Sequence, residues 1–241
     1  MILFTYAKIP EFFRQIIPYL KVTLEYVVLA LLAGLLFGGL LAWAKLGHSR
    51  ILRGLAYGYT TVIRCVPAVV LLFVVYYGLP RLLKDVFRIQ MDTTHRLKFV
   101  VITLALFSAG SISEAFRSAY QSIDKTQFEA VRSVGMTPVQ GLIHIIFPQM
   151  LFLSIPNLCN TLLALLKEGA LAYTIGLYDL LGRGQYIIGK HHGAYVIEMY
   201  VTLILIYWPI SLLITWGTKR LENRLNYYRR EVRGRRDAHA S

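Results

Sequence analysis

Long apolar stretches recur along this chain, and they constrain its fold more than any other feature. As a helix rising about 1.5 Å per residue, residues 22–44 extend about 34 Å, which exceeds the roughly 30 Å hydrocarbon core of a bilayer. A helix also satisfies its backbone hydrogen bonds internally, as lipid requires. The sequence therefore predicts an all-α polytopic membrane protein with five transmembrane helices, over residues 22–44, 65–79, 97–115, 142–166 and 194–216.

The second apolar stretch is short for a membrane span. Residues 57–63 are expected to extend it as a helix that bends at Pro67, because proline lacks an amide N–H and clashes with the preceding helical turn. The chain is therefore expected to divide into three parts. Residues 1–21 form an amphipathic external lead-in, residues 22–218 a transmembrane domain, and residues 219–241 a basic tail.

The distribution of charge predicts the orientation. Lysine and arginine total 26 against 13 acidic residues, and eight of the 26 lie in residues 219–241. By the positive-inside rule this tail is cytoplasmic, which with five spans places the N-terminus outside and residues 124–149 in the cytoplasm. The basic residues flank apolar runs, as expected beside anionic lipid headgroups. No folded nucleic-acid reader accompanies them, so we expect contact with lipid and not with nucleic acid.

The polar segment 124–149 contains signals for a helix, a turn and a second helix. Thr126 can cap a first helix with its hydroxyl, and Glu129 can reach back to the amide of the cap. Gly135 lies where that helix would end, since glycine readily takes the left-handed conformation of a helix stop. Thr137 followed by Pro138 predicts a second helix start.

No catalytic constellation is visible in the sequence. The chain has no Gly-x-x-x-x-Gly-Lys-Ser/Thr loop for ATP, no His-Glu-x-x-His and no Gly-x-Ser-x-Gly motif. His191 and His192 are adjacent, and adjacent side chains on a helix point apart, so a loop is favoured over a metal site. The pattern indicates a conduit and not an enzyme, with no cofactor or metal of its own.

Glu129-Ala130-Val131, Gly135 and Ile145-x-Phe147-Pro148 fit the pattern Glu-Ala-Ala, three residues, Gly, nine residues, Ile-x-Leu-Pro, with Val131 and Phe147 as the departures. This pattern resembles the Glu-Ala-Ala signature of ABC importer permeases, and the chain resembles their polar amino-acid uptake family over roughly residues 15–225. The flanking family patterns are matched by Glu114 to Ala130, Arg64-Cys65-Val66-Pro67, Asn160 and Leu165-Leu166-Lys167-Glu168.

The resemblance implies a type I ABC importer fold in a bacterial inner membrane. It implies a second permease copy, identical or paralogous, two cytoplasmic ATPase subunits that carry ATP and magnesium, and an external solute-binding protein that delivers an amino acid. The cytoplasmic coupling helix, which the ATPase grips, would span about residues 125–135. Its implied contact residues are Gln127, Phe128, Glu129, Ala130 and Gly135.

The resemblance also bears on the substrate. Thr161 stands where members that carry basic amino acids often have an acid, and Phe107 where an asparagine is frequent, so a neutral or zwitterionic polar amino acid, cystine included, is favoured. The candidate cavity residues, each of which could equally serve helix packing, are Ser108, Ser111, Asn157, Asn160 and Thr161. The alternative function is a membrane scaffold or receptor subunit that docks a cytoplasmic partner without transport.

Overall fold

Helices form the regular structure throughout residues 5–239, the part of the chain that the computed structural model describes; side chains are described for residues 5–224. In chain order the α-helices are α1 (Ile9–Ile16), α2 (Leu20–Leu46), α3 (Arg50–Cys65), α4 (Ala68–Phe73), α5 (Leu79–Phe87), α6 (Arg96–Gln121), α7 (Lys125–Ser133), α8 (Pro138–Gly141), α9 (Phe147–Gly169), α10 (Leu180–Lys190) and α11 (Val196–His239).

Four continuous helical stretches are long and apolar enough to cross a membrane. They cover Tyr6–Leu46, Arg96–Gln121, Pro138–Ile175 and Val196–Arg224. The first three contain the first, third and fourth predicted spans, and the last contains all of the fifth except its first two residues. Within the third stretch, a π-helical turn (Leu142–Ile146) joins α8 to α9, and a 3₁₀ segment (Ala170–Ile175) follows α9. The all-α polytopic architecture predicted from the apolar stretches is confirmed.

The second predicted span is a broken helix. Arg50–Cys65 and Ala68–Phe87 meet at an angle of 108°. Val66, which precedes Pro67, has extended backbone angles, because the proline ring disfavours a helical conformation in the residue before it. The predicted bend at Pro67 is confirmed, and this pair supplies the fifth span if its two halves together cross the membrane.

The packing of α2 against α6 supports that fifth crossing. Gly34 of α2 faces Ser108 of α6, and one turn later Gly38 faces Ile112, with a Cβ at Gly38 only 2.8 Å from the Ile112 side chain. The pairing advances in the same direction on both helices, so α2 and α6 are parallel. The chain between them must therefore return to its starting side, which the bent pair achieves.

At the end of α2 remote from α7, a buried carboxylate ties α2 to α10. Asp179 caps α10 by accepting the amide N–H of Gly182 at 2.8 Å, and it accepts the hydroxyl of Tyr26 from α2 at 3.0 Å. The amide of Leu180 in turn donates to the Thr23 hydroxyl at 3.2 Å. The side chain of Asp179 is fully buried, and this burial raises its pKa to about 6.

The raised pKa of Asp179 predicts a pH-dependent stability. Between about pH 4 and pH 6 the folded protein holds a proton that the unfolded chain releases, so the free energy of unfolding falls as pH rises through this window, by on the order of 2–3 kcal/mol. Asp179→Asn retains a side chain that can cap α10 but does not titrate. We expect its melting temperature in detergent to change less between pH 4.5 and 6.5 than that of the wild type. Superimposable pH profiles would contradict the assignment.

Candidate functional site

The connection between α6 and α9 is a helical elbow formed by α7 and α8. Helix α7 begins at Lys125, and its cap is Asp124, whose carboxylate accepts the amide N–H of Thr126 at 3.0 Å. The prediction that Thr126 is the cap was therefore wrong by two positions. Asp124 is also a strong capping residue, and its extended ψ of 134° places it outside the helix.

The end of α7 follows the predicted pattern. Gly135 has a positive φ of 74°, and the amide of Met136 donates back to the Val131 carbonyl at 3.2 Å, which closes the helix terminus. Helix α8 then begins with a capping box. The Thr137 hydroxyl accepts the Gln140 amide N–H at 3.3 Å, and the Gln140 side chain accepts the Thr137 amide N–H at 2.9 Å. The predicted second helix start at Thr137 and Pro138 is confirmed.

The angle between α7 and α8 is set by a contact that the sequence analysis did not identify. Val131 is buried and packs against Gly141, where an added Cβ would overlap Cγ1 of Val131 and approach Cγ2 to 3.1 Å. The valine that departs from the Glu-Ala-Ala signature is thus accommodated by a glycine ten positions later. The only available signal was the spacing of these two residues across the turn.

This contact predicts a reciprocal pair of substitutions. Gly141→Ala forces a methyl group onto Val131 and is expected to destabilise the elbow by about 1–3 kcal/mol, as overpacking generally does. Adding Val131→Ala should restore the stability, because it removes the overlapping methyl groups. The control is Gly58→Ala, since nothing lies within 4 Å of a Cβ at Gly58. Melting temperatures of the three variants test the contact, and a Gly141→Ala protein as stable as Gly58→Ala would contradict it.

The predicted coupling residues divide between two faces of the elbow. Phe128 turns inward, with its ring edge-on to Tyr120 at a centroid distance of 5.6 Å, and the Gln127 side chain accepts the Gln149 amide at 3.2 Å. Glu129, Ala130 and Gly135 are exposed. The Glu129 carboxylate has no hydrogen-bond or ion-pair partner among the described side chains. The inward residues anchor α7 to α6 and α9, while Glu129 and Ala130 remain accessible to a partner.

A polar cavity of about 360 Å³ opens between α3, α6 and α9. Four of the five predicted cavity residues line it: Ser111, Asn157, Asn160 and Thr161. Ser108 does not, because it is buried against Gly34 of α2 and donates to the Ala105 carbonyl at 3.2 Å. The lining also includes Arg64, Glu114 and Ser118. Arg64 and Glu114 belong to the family motifs quoted above, and that membership is the sequence signal for their place in the site.

The cavity is bordered by a partly buried ion-pair network. The ammonium of Lys45 is 2.6 Å from Oε1 of Glu114 and 2.8 Å from Oγ of Ser113, and Lys45 is only 3% exposed. Arg117 holds the other carboxylate oxygen of Glu114, with Nε at 2.9 Å and a terminal nitrogen at 2.8 Å. The network joins the end of α2 to α6 at the level of the cavity.

Helix α6 connects the cavity to the elbow. It carries the cavity residues Ser111, Glu114 and Ser118, ends at Gln121 and is followed by α7 after three residues. The two helices are joined by a short, hydrogen-bonded turn, in which the Ser122 hydroxyl donates to the Ala119 carbonyl. By contrast, His191 lies far along the chain, where its ring packs on Phe12 and Tyr195 at centroid distances of 6.2 and 5.4 Å.

Comparisons with known proteins show what the chain as a whole is similar to. Residues 10–227 match the family described as binding-protein-dependent transport system inner membrane component. The L-cystine transport system permease of Bacillus subtilis is 34% identical over 219 residues, covering 90% of each chain. The arginine transport system permease of the same organism is 33% identical over 219 residues, covering 91% of this chain and 95% of the relative. A crystal structure of an amino acid ABC transporter with histidines superposes with a TM-score of 0.79 at 28% identity, covering 91% and 98% of the two chains.

Proposed function

This chain belongs to the family of binding-protein-dependent transport system inner membrane components, and we propose that it conducts a neutral or zwitterionic amino acid, cystine included, into the cytoplasm. Its relatives are multi-pass amino-acid ABC transporter permeases, which are transport components and not enzymes. The observation that carries the proposal is that one helix, α6, lines the polar cavity and leads within three residues into the exposed elbow.

The proposed complex contains two permease copies, two ATPase subunits and an external binding protein. The ATPase subunits hold ATP and magnesium in the cytoplasm, and each grips one α7 through Glu129 and Ala130. The C-terminus shares that side of the membrane, in keeping with its basic residues. When ATP closes the ATPase dimer, α7 moves and α6 moves with it. Since Phe128 packs on Tyr120, the elbow and the cavity wall shift as a rigid body, which supports alternating access.

The chemistry of the cavity supports a polar, small substrate. Its lining offers hydroxyl groups from Ser111, Ser118 and Thr161 and the side-chain amides of Asn157 and Asn160. Both amides lack hydrogen-bond partners among the described residues, so they are available to the ammonium and carboxylate groups of an amino acid. A volume of about 360 Å³ lies within the range of small-molecule sites.

The proposal is tested by uptake into vesicles. The permease, purified as the complex in which it assembles, is reconstituted with ATP enclosed and the binding protein outside, and radiolabelled L-cystine and L-glutamine are supplied. We expect ATP-dependent accumulation of at least one of them, and none with a non-hydrolysable ATP analogue. An assembled complex that hydrolyses ATP but accumulates no amino acid would refute the proposal.

A further inference from the structure

At the end of the molecule remote from the elbow, one guanidinium is held between two aromatic rings. Arg183 belongs to α10, and its Cζ lies 5.3 Å from the ring centroid of Tyr19 and 4.9 Å from that of Tyr186. Cation–π attraction acts over such distances. Tyr19 directly precedes α2, whereas Tyr186 lies on α10 itself. The side chain of Arg183 is therefore fixed between two separate segments of the chain.

This guanidinium has no acid within the part of the chain whose side chains are described. It forms no hydrogen bond or ion pair there, and its Nε is buried with no acceptor. Asp179, one turn earlier, directs its carboxylate to the Gly182 amide and the Tyr26 hydroxyl. The cation is partly desolvated, so it gains more from an approaching anion than a cation in water does.

The surroundings of Arg183 resemble the centre of a protein–protein interface. Tyr178 packs edge-on against Tyr186 at a centroid distance of 5.7 Å, and both side chains are about half exposed. Tyrosine and arginine are enriched among the residues that supply most of the binding energy of such interfaces. Helix α10 also lies outside the stretches that are long and apolar enough to cross a membrane. Both observations favour a protein partner over a lipid.

The chemistry of the guanidinium specifies what that partner presents. Its planar fork of N–H donors matches the two oxygens of a carboxylate. Because the rings of Tyr19 and Tyr186 already restrict the Arg183 side chain, it loses little conformational freedom when a partner binds.

We propose that Arg183 is a docking point for a carboxylate on the surface of the external solute-binding protein, and that Tyr178 and Tyr186 pack around this contact. The inference rests on the function proposed above, which places α7 in the cytoplasm. Helix α10 is then on the outer side, because Asp179 ties it to the end of α2 remote from α7. The affinity of the binding protein therefore falls as salt is added, since salt screens charge pairs at an interface.

The affinity of the binding protein for the assembled complex tests this assignment. The probe is the binding protein of the vesicle assay, titrated by biolayer interferometry onto the complex in nanodiscs of phosphatidylcholine and phosphatidylglycerol. Arg183→Gln should weaken binding by about tenfold or more, the usual loss of a charge-assisted hydrogen bond. Arg183→Lys should restore only part of the affinity, because an ammonium lacks the planar fork.

The matched control is Arg220→Gln. The Arg220 guanidinium also stacks on an aromatic ring, with its Cζ 5.3 Å from the centroid of Trp216. It lies on α11 beyond the last predicted span, on the side of the basic tail, so its loss should leave the affinity for the binding protein unchanged.

A double-mutant cycle identifies the carboxylate. When the surface acids of the binding protein are neutralised one at a time, one of them should weaken binding to the wild type but not to Arg183→Gln. Equal affinities of Arg183→Gln and the wild type, or no binding to the wild type, would overturn the inference. ATP-driven uptake by the wild-type complex would still uphold the transport function in either case.

Two further measurements complete the test. Unchanged affinity of Arg183→Gln together with loss of bound phosphatidylglycerol, detected by mass spectrometry, would assign Arg183 to a lipid headgroup and overturn the inference. A melting temperature equal to that of the wild type establishes that Arg183→Gln is folded. If that variant does not fold, Arg183→Lys keeps the charge and carries the test, and wild-type affinity of Arg183→Lys would then overturn the inference.

Discussion

Glu114→Gln is expected to destabilise the permease by about 1–3 kcal/mol, the usual loss when a charged group loses its partner. The substitution leaves the Lys45 ammonium, which is 3% exposed and lies 2.6 Å from Glu114, without a carboxylate. Because the Glu114 side chain is 24% exposed at the cavity, the cost falls below that of breaking a fully buried ion pair. Denaturant unfolding in detergent, followed through intrinsic fluorescence, measures the change.

A double-mutant cycle tests this prediction further, and an ion pair on the surface serves as its control. Lys45→Met combined with Glu114→Gln removes both charges, and the pair should be destabilised by less than the sum of the two single variants. The matched control is Glu11→Gln, because Glu11 pairs with Lys8 at 2.8 Å on the surface, where its side chain is 48% exposed. Solvent screens that pair, so no measurable change is expected. Equal effects of Glu114→Gln and Glu11→Gln would contradict a structural role for the ion-pair network at the cavity.

Glu129→Lys is expected to reduce ATP-driven uptake by tenfold or more while leaving the fold intact. Glu129 is exposed, and its carboxylate has no partner among the side chains that the structure describes, so the change removes nothing that stabilises the permease itself. A reversed charge in a complementary interface replaces attraction by repulsion, which costs several kcal/mol. Uptake into vesicles and co-purification of the ATPase measure the effect.

The control for this substitution lies elsewhere on the chain. Glu222→Lys makes the same charge change in α11, outside the elbow, and should leave uptake unchanged. The melting temperature of the Glu129→Lys permease should equal that of the wild type. Undiminished uptake by Glu129→Lys would exclude α7 as the point of contact with the ATPase.

Features governed by local sequence were predictable. The spans follow from the length of the apolar runs, and the bend at Pro67 and the stop at Gly135 follow from the backbone preferences of proline and glycine. The cap of α7 was misplaced because Asp124 and Thr126 are both good caps, and local sequence does not choose between them.

Features that depend on packing across the fold were not predictable from one sequence. Lys45 and Glu114 lie 69 residues apart, and no pattern links them. Ser108 was placed in the cavity because it shares a small, hydroxylated run with Ser111, yet the two face different neighbours on α6. Which of them faces the cavity depends on the rotation of α6 about its axis, and the close approach of Gly34 sets that rotation.

The central claim is that energy for transport enters through α7, and site-specific photo-crosslinking tests it most directly. A photoreactive amino acid at position 129, in the assembled complex in membranes, should form a covalent adduct with the ATPase subunit. The same label at position 213, an exposed leucine in the last span, should form none. An adduct from position 129 alone supports the account. A complex that assembles and transports, yet gives no ATPase adduct from position 129, would contradict it.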